Sequence, residues 1–198
     1  MDRDPGLYAV WNSAIKMAKG KYITNLNVDD RIKYNCYEIF SKYLDESKDV
    51  DLVYSGYFST DKKNETYDFF KRKNQIDIPD YSIENMILPL PNFYPMWRKS
   101  VHQKIGYFDE TYKIAGDWEF WLRMAKQNLI SKKLSGMYGL YYRNPNGLST
   151  NGSYKRVCLH NAERRRIFEA FKDLWGLDYK EFKKRLAFLY RKTLKNYK

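Results

Sequence analysis

The sequence predicts an α/β fold, a mixed sheet flanked by helices with a helical tail behind it. Three observations carry that prediction. Leu7, Val10, Trp11, Ala14, Ile15 and Ala18 recur at helical spacing, the single apolar face of an amphipathic helix that Gly20 closes. Tyr22 to Val28 then reads as a buried strand, rich in β-branched and aromatic residues, running out into Asp29-Asp30. From residue 151 strand patterning stops and two amphipathic helical stripes follow, so the chain divides into a core, 1–150, and a tail, 151–198.

The remaining elements follow in order. Asp4-Pro5-Gly6 is a turn before the first helix. Cys36, Ile39, Phe40, Tyr43 and Leu44 give the inner face of a second helix. Asp51 to Phe58 is a strand, and Glu65 to Phe70 pairs back on it as a hairpin. Residues 71–92 are irregular, punctuated by Pro79, Pro89 and Pro91, with a short helix around Ser82 to Ile87. A connection this long is expected to border a cleft. Asn92 to Arg98 is a strand, Lys99 to Ile105 a helix, and Asp117 to Gln127 a helix with Phe120, Trp121, Met124 and Ala125 inward. Leu129 to Leu134 and Tyr138 to Arg143 are two strands, and Asn144-Pro145-Asn146-Gly147 is a turn. In the tail, Ile167, Phe168, Phe171, Leu174 and Trp175 mark one face, and Phe182, Leu186, Leu189, Tyr190 and Leu194 the other.

Composition narrows the function classes. The 198 residues are 43% hydrophobic and 18% aromatic, which is not a disordered composition. No apolar run approaches the length of a membrane span, and Met1 to Pro5 shows no signal-peptide core. Cys36 and Cys158 make no disulfide framework and read as free thiols of a reducing cytoplasm. Cys158-Leu159-His160 falls short of the four ligands zinc needs. The net charge is +12 and uneven: residues 151–198 hold 14 basic and 5 acidic side chains, a net of +9, leaving +3 for the core. A basic tail suits an anionic membrane face or an acidic partner. Nucleic acid is disfavoured, because the aromatics fall in element cores and the charges on solvated helix faces.

Two acidic features carry chemistry. Asp29 and Asp30 are poor strand formers and should sit at the C-terminal edge of their strand, where ligands bind in open α/β sheets. Two hard oxygen donors there suit Mg²⁺ or Mn²⁺ bridging to substrate phosphates; the same pair also suits a solvated turn or a helix cap. Asp117 follows Gly116 at a helix start, either as an N-cap or as a general base. Glu119, two positions on, should point away from Asp117.

The order of these motifs resembles the family 2 glycosyltransferases of the GT-A fold. Gly6 to Ile15 with Ala18 to Ile23 is similar to the helix and strand that precede the family's acidic motif. Leu26-Asn27-Val28-Asp29-Asp30 resembles its DxD-type motif, with Asn27 in place of the first acid. Lys99-Ser100-Val101, Ile105 to Glu110 and Gly116 to Arg123 resemble its acceptor-side segment, and Tyr141 to Ser149 the loop over the donor diphosphate. The match covers roughly residues 4–150. It departs in two respects. Trp11 stands where the family commonly has an Arg, and the strand-helix-strand that binds the nucleotide base is missing, so an N-terminally truncated core is expected.

The resemblance implies a sugar transferred from a nucleotide-sugar donor to the hydroxyl of a glycan or lipid-linked acceptor, with inversion, in surface polysaccharide assembly. It implies Asp29 and Asp30 as ligands of Mn²⁺ or Mg²⁺, and Asp117 as catalytic base. Asn27, Asp29, Asp30, Arg143 and Ser149 are the expected donor contacts. Trp97, Trp118 and Glu119 are the expected acceptor contacts. The expected place is the cytoplasm, with peripheral contact at the inner membrane face. The competing reading is a catalytically incomplete module that docks to a partner or membrane through its tail.

Overall fold

The computed structural model describes residues 5–70, 74–91, 93–148, 150 and 152–193. Ser149, expected at the donor, lies outside them, as do Asn92 and Leu194. The elements are α1 (Leu7–Met17), β1 (Tyr22–Thr24), β2 (Arg31–Ile32), α2 (Cys36–Glu46), β3 (Val50–Thr60), β4 (Gln75–Ile76), a 3-10 turn (Asn85–Ile87), β5 (Met96–Arg98), α3 (Val101–Ile105), α4 (Gly116–Lys126), β6 (Ile130–Tyr142), α5 (Tyr154–Trp175) and α6 (Tyr179–Thr193).

The sheet runs β1-β5-β3-β6-β2, with β4 added on β3. β3 and β6 are parallel and the other pairs antiparallel, so the sheet is mixed. All eleven residues of β3 are buried, as a central strand covered on both faces must be. Its polar side chains are accommodated. Asp51 Oδ2 accepts from Ile130 N at 3.0 Å, and Ser55 Oγ meets Tyr94 Oη at 2.6 Å.

Three expectations are corrected. β1 stops at Thr24 rather than Val28, because Asn25 and Asn27 favour turns and Leu26 and Val28 are exposed; Val28 is 96% accessible. Residues 65–70 are turns, not a strand. Tyr67 and Phe70 pack on Phe58 in a satellite cluster, and the short β4 pairs with β3 instead. The two strands expected over 129–143 are one, β6. Its register against β3 jumps between Leu134 and Met137, and Gly136, at φ 108°, takes up the extra residues as a bulge.

The tail continues the core. Ile167, Phe168, Phe171, Phe182 and Leu186, expected as inner faces, are buried in the same cluster as the sheet's side chains. Phe182 stacks on Trp118 of α4 with ring centroids 6.3 Å apart, and Trp175 Nε1 donates to Ile83 O at 2.9 Å. The apolar stripes of α5 and α6 therefore face the protein. Among the described residues, no helix is long and apolar enough to cross a membrane.

Candidate active site

A cleft of about 660 Å³ opens between the residues after β1, the residues after β6 and the starts of α1 and α4, with α5 and α6 along one side. Asn27, Asp29, Asp117 and Trp118 line it, so the acidic turn and the base candidate share one cavity.

The two adjacent acids have separate jobs. Asp29 faces the cleft, and its Oδ2 accepts from Asn144 Nδ2 at 3.0 Å. Asp30 is buried away from it. Its Oδ1 accepts from Tyr142 N at 2.9 Å and its Oδ2 from Asn27 Nδ2 at 2.9 Å. Tyr142 ends β6, so its N–H needs an acceptor, and Asp30 supplies one. Burial pushes the Asp30 carboxyl up to about 6, against the opposing pull of those two donors. Asp30 thus fastens the acidic turn to the end of β6 and is not placed as a donor or metal contact.

The base candidate is held by several elements. Asp117 is half-buried in the first turn of α4, and its Oδ1 accepts from Trp118 N at 2.9 Å. Tyr8 Oη of α1 accepts from Gly116 N at 2.8 Å, and its proton lies between Ile114 O at 2.8 Å and Asp117 Oδ1 at 3.3 Å. The backbone and the Tyr8 ring approach so closely that a Cβ on Gly116 would meet Tyr8 Cε2 at 2.7 Å. Loss of water raises the Asp117 carboxyl to about 6, with hydrogen bonds from Trp118 and Tyr8 opposing. A carboxylate with that value can take a proton near neutral pH.

Three other expected contacts are engaged outside the cleft lining, and a fourth, Trp118, lies in its wall. Arg143 forms an ion pair with Asp61, because the β3–β6 pairing of Thr60 with Tyr142 brings Asp61 beside it. Trp97 is 1% exposed in the sheet and donates Nε1–H to His102 Nε2 at 2.9 Å. His102 then donates from Nδ1 to Gly106 O at 2.9 Å. Glu119 is buried in a two-pronged pair with Arg123, at 2.7 and 3.1 Å, on another face of α4. Trp118 lines the cleft only as wall: its Nε1 is committed to Met86 O at 2.9 Å.

Other side chains, not among the expected contacts, complete the site. Trp11, Tyr57, Phe93 and Tyr141 give aromatic surface; His160, Arg164 and Tyr190 reach in from α5 and α6. Asn25 Oδ1, beside the acidic turn, is buried without a hydrogen-bond partner among the described residues. Among those residues no group of three or more His, Cys, Asp or Glu is placed to hold a metal ion.

The sequence profile described as Glycosyl transferase family 2 matches residues 1–114, more than half of the chain. The chain belongs to glycosyl transferase family 2. An uncharacterized glycosyltransferase of Methanocaldococcus jannaschii is 30% identical over 151 residues, 73% of this chain and 49% of that protein. A second, from Bacillus subtilis, is 28% identical over 134 residues, 67% of this chain and 49% of that protein. The chain thus spans about half the length of these relatives. Two solved folds are similar. S. aureus TarS residues 1–349 with UDP-GlcNAc gives a TM-score of 0.58 at 17% identity, over 96% of this chain and 54% of that one. The mannosyltransferase PcManGT of Pyrobaculum calidifontis with GDP-Man and Mn²⁺ gives 0.56 at 12% identity, over 95% and 54%. These likenesses show a GT-A-like fold for this family 2 chain.

Proposed function

We propose that the cleft of this family 2 chain transfers a sugar from a nucleotide-sugar donor to an acceptor hydroxyl in a single inverting displacement, as part of surface glycan assembly. The observation that carries the reading is that Asp29 and Asp117, 88 positions apart in the sequence, line one cavity of a size that suits a small-molecule ligand. Asp117 takes the proton from the attacking hydroxyl; its raised carboxyl and fixed position fit that task. Asp29, held by Asn144, is the cation ligand, and the cleft aromatics offer faces for base or sugar. Mn²⁺ or Mg²⁺ fits this donor set. Such ions take one or two carboxylates and complete their shells with water and substrate phosphates, and the orphaned Asn25 Oδ1 is a further hard oxygen nearby. When bound, the cation neutralises charge on the departing diphosphate. TarS with UDP-GlcNAc and PcManGT with GDP-Man and Mn²⁺ supply precedent for both ligand types on this fold.

The test is calorimetric titration of UDP and of GDP into the chain, with and without Mn²⁺. Cation-dependent binding that Asp29→Ala removes, with the fold intact, supports the reading. Nucleotide affinity that ignores both the cation and Asp29 overturns it. The apolar stripes of α5 and α6 are spent on the core, so the tail-docking alternative is left with their basic outer faces.

A further inference from the structure

We propose that Glu163 of α5 is a positioning residue for Asp117, which makes the C-terminal helices part of the catalytic machinery. The proposal rests on the reading of Asp117 as base.

Glu163 is 6% exposed. Its Oε1 accepts from Lys113 N at 2.6 Å, and its Oε2 accepts from Ile114 N at 3.0 Å and Ala115 N at 2.8 Å. Three successive backbone amides therefore converge on one carboxylate, directly before the helix that begins at Gly116 and carries Asp117. No Lys or Arg side chain among the described residues pairs with Glu163, so the buried charge is balanced by these N–H dipoles and the start of α4. α4 has no side-chain cap of its own. A cap drawn from 48 positions away in the sequence does what a local Ser or Asn could do, and adds a tether between two helices.

That tether meets the one from the other side. Tyr8 holds Gly116 N and Ile114 O, and Glu163 holds 113–115, so residues 113–116 are pinned between α1 and α5. The groups that face Asp117 are Tyr8 from α1, Glu163 from α5 and Tyr190 from α6, and His160 and Arg164 line the same cleft. The negative charge of Glu163 also disfavours ionisation of Asp117 and so adds to its basicity.

The experiment uses Glu163→Gln in the full chain, read by carbon-detected NMR titration of the Asp117 carboxyl and by amide hydrogen exchange at Lys113, Ile114 and Ala115. Removing the charge and loosening the loop both lower the Asp117 midpoint below its value of about 6. The three amides should exchange at least about tenfold faster. Glu163→Asp retains the charge at shorter reach, so it should restore much of the midpoint while leaving the amides loosened. An unchanged midpoint and unchanged protection in Glu163→Gln overturn the proposal. Where that variant fails to fold, unchanged exchange at the three amides in Glu163→Asp does so. These readouts need no substrate, so they are separate from the fate of the transferase reading. Under turnover with UDP-GlcNAc and Mn²⁺, Glu163→Gln should lower kcat and shift the acid limb of its pH profile while nucleotide affinity holds. A loss confined to KM for the nucleotide also overturns the proposal.

Discussion

The two walls of the cleft are built differently. On the base side, α1, α4 and α5 meet through backbone hydrogen bonds accepted by Tyr8 and Glu163, and the Asp117 carboxylate has little freedom. On the acidic-turn side, β1 has ended, Leu26 and Val28 face solvent, and Asp29 is held through a single amide of the 144–147 turn. One wall is pre-organised by protein alone; the other has open coordination that a cation and a diphosphate would complete. On the proposed reading, the difference locates rigidity where a proton must be aimed and adaptability where a large charged donor must enter and leave.

Substitutions can break this contrast. The largest effect is expected from Asp117→Asn, which should cut kcat by about 10²- to 10⁴-fold and leave cation-dependent nucleotide binding unchanged, checked by paired kinetics and calorimetry. Asn144→Ala attacks the other wall. By freeing Asp29 it should weaken the Mn²⁺-dependent part of nucleotide binding by about 10- to 100-fold, with the pH profile of turnover unmoved. Acidification tests the base directly. Asp117 must be ionised to act, so kcat/KM should fall about tenfold per pH unit below about 6 and level off above it. Stability should respond in the opposite sense. Asp30 and Asp117 bind their protons more tightly folded than unfolded, so their contribution is present below about pH 4 and fades as pH rises through about 6; chemical denaturation across that range would show it. The smallest change is expected from Arg143→Ala, the loss of a partly exposed ion pair with Asp61. It should cost at most about 1 kcal/mol and no nucleotide affinity. A large loss of binding there would return Arg143 to the donor site.

How far the sequence could be read follows from what each signal encodes. Apolar spacing located α1, α2, α4 and both tail helices, because periodicity records which face is buried. It misplaced the end of β1, where Leu26 and Val28 look like core and are exposed. It also split β6 at a glycine that is a bulge rather than a turn. In the site, Asp29 and Asp117 were legible as acids at element ends. The division of labour between Asp29 and Asp30 was not, since it depends on where the N–H of Tyr142 arrives from the far end of the chain. Nor were Glu163, Arg164 and Tyr190. A helical stripe shows that a tail helix packs inward but not against what, and a Glu directly before the run Arg164-Arg165-Arg166 of α5 reads as a surface charge. The sharpest available clue was that this Glu sits four residues before Ile167, in line with the buried stripe.

The parallel pairing of β3 with β6 has a consequence for how the molecule comes into being. Asp51 meets Ile130 across 79 positions of chain, and β4 and β5, the other strands paired with β3, also follow it in sequence. During synthesis from the N-terminus, an eleven-residue sticky ribbon must therefore emerge before any strand that pairs with it, and long before β6, which pairs along its whole length. Nascent chains stalled ahead of residue 130 should be the ones that recruit chaperones or clump, and release of β6 should end that vulnerability.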